Sequence, residues 1–251
     1  MKAEPNLTVL LNTWMVSVET EAGTGGGPKM ITSATCENQM VQRRYTVKAK
    51  AFIDASGDGR LGAEAGAEWI QGREGKSYFN ESLAVDDPGD NETEGSSTMF
   101  DADDKGKPVQ FRPPFWANKY NESQFRYRSV GGKMTQGPWW NEVSYPFNMV
   151  TDGENVTATG ISQILGIWDF IKNSGKHPES ANMGLTWVEL TAGKREGRRF
   201  RGQYIVTQND VMPKFPAFAD PQDPKLFWDR VSYSVRYLPD QRQLRHDGVQ
   251  R

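Results

Sequence analysis

The sequence predicts an α/β chain, taking the form of an α+β fragment over this length: a β-meander running into a strand, a turn and a short helix, then a strand-rich segment with one long helix. Three observations predict it. β-branched and aromatic residues gather in short runs near the N-terminus. A side-chain-poor turn, Ser56-Gly57-Asp58-Gly59, separates an apolar run from a run of small residues. Apolar residues then recur at spacings of three and four between Thr157 and Asn173.

Residues 7–18 read as one or two strands, and residues 29–36 and 44–53 as two more, so the first sixty residues form a meander that ends at the glycine turn. The 44–53 run begins by alternating and becomes more apolar, as a strand entering a core should. Gly57 and Gly59 can take positive φ, and Asp58 between them can accept hydrogen bonds from hydroxyls or backbone amides. Gly-Asp-Gly is also a common structural turn, and that reading stands beside the functional one. The small residues after Arg60 predict a short helix through Ala65 that packs on the strand.

Residues 86–107 are acidic and glycine-rich. They lack the ligand spacing and terminal Glu of a helix–loop–helix calcium site, and read as a solvated insertion. Between 108 and 150, aromatic residues lie among Pro and Gly with no strict period. They either fill the core of a small sheet or line a pocket, with Trp139, Trp140 and Glu142 as the candidate wall. The helix at 157–173 places Ile161, Ile164, Leu165, Trp168 and Ile171 on one side, with Gly175 and Pro178 to end it, and Trp168 reads as core. Trp187-Val-Glu-Leu is a short apolar segment, and 235–251 an irregular tail without period.

Composition narrows the function. With 36% hydrophobic and 25% charged residues in 251, the chain can bury a core as one large domain or two small ones. A net charge of −2 supplies no basic field for nucleic acid. No run reaches the ~20 apolar residues of a membrane span. Residues 1–6 lack the apolar core of a signal peptide, so the compartment is open, cytoplasmic by default, with export possible if the true N-terminus is missing. The two histidines, His177 and His246, have no carboxylate at metal-ligand spacing, so no metal site is proposed. Cys36, the single cysteine, reads as inert in a polar strand and excludes an internal disulfide.

The segment 51–67 resembles the Ala-Thr-Gly-Asp-Gly region of the FAD-dependent oxidoreductase family with a glutathione-reductase-like FAD-binding fold, with Ser56 where Thr is usual. Gly66–Arg73 with Ser77–Ser82, Gly166–Pro178, and Gly193–Phe200 with Thr207–Asp210 are similar to later blocks of the family, so the resemblance covers roughly residues 5 to 233. It implies an FAD-dependent oxidoreductase acting on a small organic substrate, with Ala55, Ser56, Gly57, Asp58 and Gly59 beside the flavin nucleotide. It also implies a partial FAD-binding domain at 1–85, the insertion at 86–107, a substrate-side domain at 108–234 and the tail at 235–251. Some relatives, those resembling the heterodisulfide reductases, carry iron–sulfur clusters, which one cysteine cannot ligate.

Such a flavoprotein should open with a Gly-x-Gly-x-x-Gly strand–turn–helix to hold the pyrophosphate. This chain does not open with one: Gly23–Gly27 leads into a strand-like run, and the expectation is a fragment that is inactive by itself. Five cations lie within 194–201. They read as a solvated face or, where the resemblance sets the family's Lys-Arg-Glu-Ser-Arg-Arg block with Gly197 in place of Ser, as arginines that reach the flavin or a substrate carboxylate. Arg195, Arg198 and Arg199, at helix-like spacing, and Glu142 are the catalytic candidates, with Glu189 and His177 behind them. The rival from another class is a non-catalytic carbohydrate- or protein-binding module that uses the aromatics of 111–147.

Overall fold

A computed structural model of the chain describes residues 4–208 apart from positions 24 and 26, and it divides into two compact units. One comprises 4–71 with 197–205; the other comprises 72–196 with 206–208. The predicted tail, His246 and Asp210 lie outside the described residues. The elements are few helices and small antiparallel sheets, an α+β composition.

In the first unit, β1 (Thr13–Glu21), β2 (Met30–Asn38) and β3 (Arg43–Val47) form an antiparallel sheet in that order. Trp, Val and Thr favour the pleat of β1. At the centre, Ala34 faces Val18 on one side and Val47 on the other, and Ser33 and Ala34 are buried. The third strand was expected to run to Ile53, but it stops at Val47, and 51–55 belong to no strand. From Ser33 back to Met30, β2 pairs with β1 alone. An apolar run reports preference for a pleat, whereas a strand also needs a neighbour to bond; Ile53, without one, is 89% exposed.

The turn still leads directly into α1 (Arg60–Glu64), which ends at Ala65. Further on, β4 (Trp69–Ile70) pairs with β11 (Arg199–Phe200), the segment that returns from the far end of the chain. The ring of Phe200 lies over α1: a Cβ on Gly62 would stand 2.4 Å from it.

The second unit contains β5 (Arg73–Glu74), α2 (Lys76–Phe79), β6 (Gly89–Asp90), β7 (Ser96–Ser97), β8 (Phe100–Asp104), β9 (Glu142–Val143), α3 (Gly153–Asn173) and β10 (Met183–Val188). The pairs are β5 with β6, β7 with β9 and β8 with β10, all antiparallel. The main core is built where Ile164, Ile167, Trp168 and Ile171 of α3 meet Phe100, Ala102 and Met183 of the β8–β10 pair. Phe100 packs edge-on against Trp168, centroids 4.8 Å apart.

Two sequence expectations change here. α3 begins at Gly153, four residues before the expected Thr157, because Glu154 suits the positive end of the helix dipole and Val156 packs with Val143 and Met149. Segment 86–107 is no solvated insertion throughout: Thr93, Ser96, Thr98, Phe100 and Ala102 are buried, and β8 supplies part of the core. Charge counted over a window hides this, since alternating residues of one strand face opposite ways: Asp101 and Asp103 are the more exposed residues between and after buried Phe100 and Ala102.

Near the end of α3, Lys172 Nζ donates to the carbonyls of Ser180, Ala181 and Met183 at 2.5, 3.0 and 2.8 Å. It thereby ties the helix end to the entry of β10, and burial lowers its pKa.

Candidate functional site

The turn at 55–59 is held by its own side chains. Asp54 accepts from Ser56 N–H at 3.0 Å, the Ser56 hydroxyl at 2.7 Å and Gly62 N–H at 3.0 Å. Ser56 Oγ in turn accepts from Arg60 N–H at 3.1 Å. Two of the amides left over at the start of α1 are satisfied in this way, although Gly59 at the N-cap position has no side chain to do so. Burial pushes the Asp54 pKa up, and these hydrogen bonds outweigh it, so the carboxyl lies below its ordinary value. Asp54 was missed in the sequence; its signal was an acid two residues before a Ser and a few before a short helix.

Asp58 turns toward the returning segment. Arg198 Nη1 donates to its carbonyl at 2.9 Å and lies 3.4 Å from Oδ2, and the guanidinium stacks over Trp69 at 5.3 Å. Gly197 makes room for this: a Cβ there would stand 2.0 Å from Asp58 Oδ1. Gly57, at φ 76°, has no other atom within 4 Å of the place a Cβ would occupy, and Ala55 and Ser56 beside it are exposed. The result is an open stretch of bare backbone on a braced turn.

The arginines do not form the expected helical face. Residues 194–198 are in no helix, so spacings of three and four bring nothing together. Arg195 belongs to the second unit, where it pairs with Glu142 at 2.6 Å and stacks on Trp139 at 5.4 Å. Arg198 belongs to the first unit, and Arg199 there is paired in β11 with Ile70. Glu142, expected at a pocket wall, is thus an ion-pair partner; Trp140 packs against the main core, and Trp139 lies under Arg195 and Arg128. Glu189 accepts from Met99 N–H at 3.1 Å, and His177 meets Glu179 at 3.3 Å and the Phe170 ring edge-on. Both have structural partners.

A groove of about 450 Å³ lies elsewhere in the second unit, between the 143–147 segment, the 118–124 loop and the face of α3 that carries Thr159 and Gln163. Its polar lining was not foreseen. The readable signal was Thr159 and Gln163, polar and four apart on a helix otherwise read for its apolar side. The aromatics of 111–147 form no single platform, because Phe111, Tyr120, Phe125 and Trp140 pack on the main core while Phe115 and Tyr127 face solvent.

Among the described residues no group of three or more His, Cys, Asp and Glu could hold a metal, and no helix is long and apolar enough to cross a membrane. Comparison with curated proteins and with solved structures finds no match. A family model described as FAD dependent oxidoreductase matches residues 1–235, most of the chain and the whole span that holds the turn, the α3 core and the returning arginine segment, and the chain therefore belongs to that family.

Proposed function

We propose that the chain supplies one wall of the FAD site of an oxidoreductase acting on a small organic substrate, with residues 55–59 as the backbone that approaches the flavin nucleotide. The observation that carries the reading is the open face at Gly57: a positive-φ residue with nothing over it, flanked by exposed Ala55 and Ser56, is where a flat or phosphorylated ligand can touch main chain. The residues fit that role. Asp54 and Ser56 hold the turn rigid, and Arg198 fixes Asp58, so little ordering is left for a ligand to impose.

Bound FAD would supply the hydride or electron chemistry through its isoalloxazine ring. The chain's own contribution is placement. Arg198 acts through Asp58 as a positioning residue, and Arg195, neutralised by Glu142, holds Trp139 in place. Gly57, Gly59 and Gly62 have the Gly-x-Gly-x-x-Gly spacing, but they follow no strand and open a helix of only five residues, so the chain lacks the strand–turn–helix cradle for a pyrophosphate there, and FAD binding by the chain alone is weak.

Titrating FAD with the purified 251-residue chain and following flavin fluorescence tests the reading. The expected result is weak, saturable quenching that Gly57→Val reduces at least fivefold in affinity, with the circular dichroism spectrum retained. Equal quenching by the two proteins would remove the turn from the site. Tight stoichiometric binding would show that a complete cradle exists.

A further inference from the structure

We infer that the groove of the second unit is a binding site for a small, neutral, polyhydroxylated molecule such as a monosaccharide or cyclic polyol. The inference is independent of the flavin reading, because every residue it uses lies between 118 and 169 and none belongs to the 55–59 turn.

The groove is built before any ligand arrives. A Cβ on Gly166 would stand 2.3 Å from the Asn118 carbonyl oxygen and 3.0 Å from the Tyr120 ring, so the missing side chain lets the 118–120 loop settle onto α3. Asn118 N–H donates to the Ser162 carbonyl at 3.0 Å, and the Ser162 hydroxyl donates to Asn118 Oδ1 at 2.7 Å. A capping box at Asn121 and Gln124 stiffens the turn that follows. The loop is thus locked beside the Thr159 and Gln163 face.

The hydrogen-bonding groups that remain set the ligand's chemistry. Tyr120 Oη accepts from Asn118 Nδ2 at 3.1 Å, which leaves its own proton to donate; burial raises its pKa, partly offset by the Asn118 bond. Gln124 spends Oε1 on Asn121 N–H at 2.7 Å and keeps its NH₂ group. Among the described residues the Gln163 amide has no partner, and the Thr159 and Ser144 side chains also line the space. The set mixes donors and acceptors, none of them charged, and a hydroxyl is the ligand group that can both give and take at such positions.

Charge argues the same way. Among the described residues no carboxylate lines the groove, and the one cation there, Lys119, is already paired with Asp169 at 3.0 Å. An anion would have to break that pair to gain a counter-ion. The rings of Tyr145 and Phe147 offer apolar surface for the C–H face of a sugar or cyclitol, and about 450 Å³ accommodates one such ring.

The test is saturation-transfer NMR on the full 251-residue chain with glucose, myo-inositol and gluconate, each to about 50 mM, where a site of roughly millimolar affinity is filled. Saturable transfer to glucose or myo-inositol is expected, with affinity lowered about three- to tenfold in Gln163→Leu, an effect of the size that losing neutral hydrogen bonds produces. Thr159→Val is the second variant and decides the matter should Gln163→Leu lose its helical circular dichroism. Transfer to neither neutral probe would overturn the inference, as would tighter binding of gluconate than of glucose, or unchanged transfer in the folded variants.

Discussion

Gly160→Ala separates packing from propensity in α3. In an open helix interior this substitution stabilises by about 0.5–1 kcal/mol, because Gly costs more backbone entropy than Ala. At Gly160 the new Cβ would stand 2.1 Å from Thr98 Oγ1 and 3.0 Å from Thr98 Cβ. Turning the Thr98 side chain relieves the first contact and leaves the second, and Thr98 is wholly buried. Overpacking of this kind costs about 1–3 kcal/mol, so the balance is a loss of roughly 1–2 kcal/mol. Urea unfolding followed by the fluorescence of Trp168 and its neighbours should show the midpoint falling by about 0.5–1 M. Adding Thr98→Ala should recover at least half the loss, with a coupling of about 1 kcal/mol or more. Gly153→Ala is the control: nothing lies within 4 Å of its Cβ position, and the change there should be neutral or slightly stabilising. A stabilised Gly160→Ala, or additive behaviour with Thr98→Ala, would refute the close approach of α3 to the β7–β8 strand connection.

Two further predictions concern charge. Burial raises the Asp90 pKa and hydrogen bonds from Arg73 and from Glu92 N–H outweigh it, so Asp90, like Asp54, titrates below its ordinary value of 3.8. A depressed carboxyl adds stability that is fully present above its unfolded value and is lost as pH falls through the folded one. The stability gap between the wild type and an Asp54→Asn/Asp90→Asn double variant should therefore close as pH drops below about 4 in urea titrations, and a gap of equal size at pH 3 and pH 6 would contradict this. Arg198→Ala should cost roughly 1.5–3 kcal/mol in thermal or urea unfolding, with Arg198→Lys recovering only part, since an ammonium cannot both bond the Asp58 carbonyl and lie flat over Trp69. Full recovery by Lys would reduce the contact to simple charge.

Much of this was legible in the residues. The apolar spacing in α3 pointed to Trp168 as core, and Trp168 is buried against Phe100. Ser56-Gly57-Asp58-Gly59 marked the turn and the helix beyond it. The misreadings share one cause, which is that local pattern does not name a partner. Residues 48–53 had a strand's composition and no neighbour to pair with, whereas 96–102 had an acidic window's charge and two neighbours, β9 and β10. Arg195, Arg198 and Arg199 are close in sequence, but their roles depend on Glu142, Asp58 and Ile70, all far from them along the chain.

The pairing of β4 with β11 has a consequence for how the protein is made. The first unit is a host interrupted after Gln71 and resumed at Gly197, with nearly all of the second unit threaded between. On a ribosome adding roughly 5–20 residues each second, its edge strand waits on the order of ten seconds for Arg199 and Phe200 to be synthesised. During that interval α1 lacks the Phe200 ring and Asp58 lacks its guanidinium. The later-emerging guest therefore has the means to close around α3 first, and the anchoring of Asp58 by Arg198 is among the last contacts to set. A stop codon before 197 would leave the host permanently open, with Trp69 and Ile70 as an unpaired strand edge of the kind that chaperones hold and proteases cut.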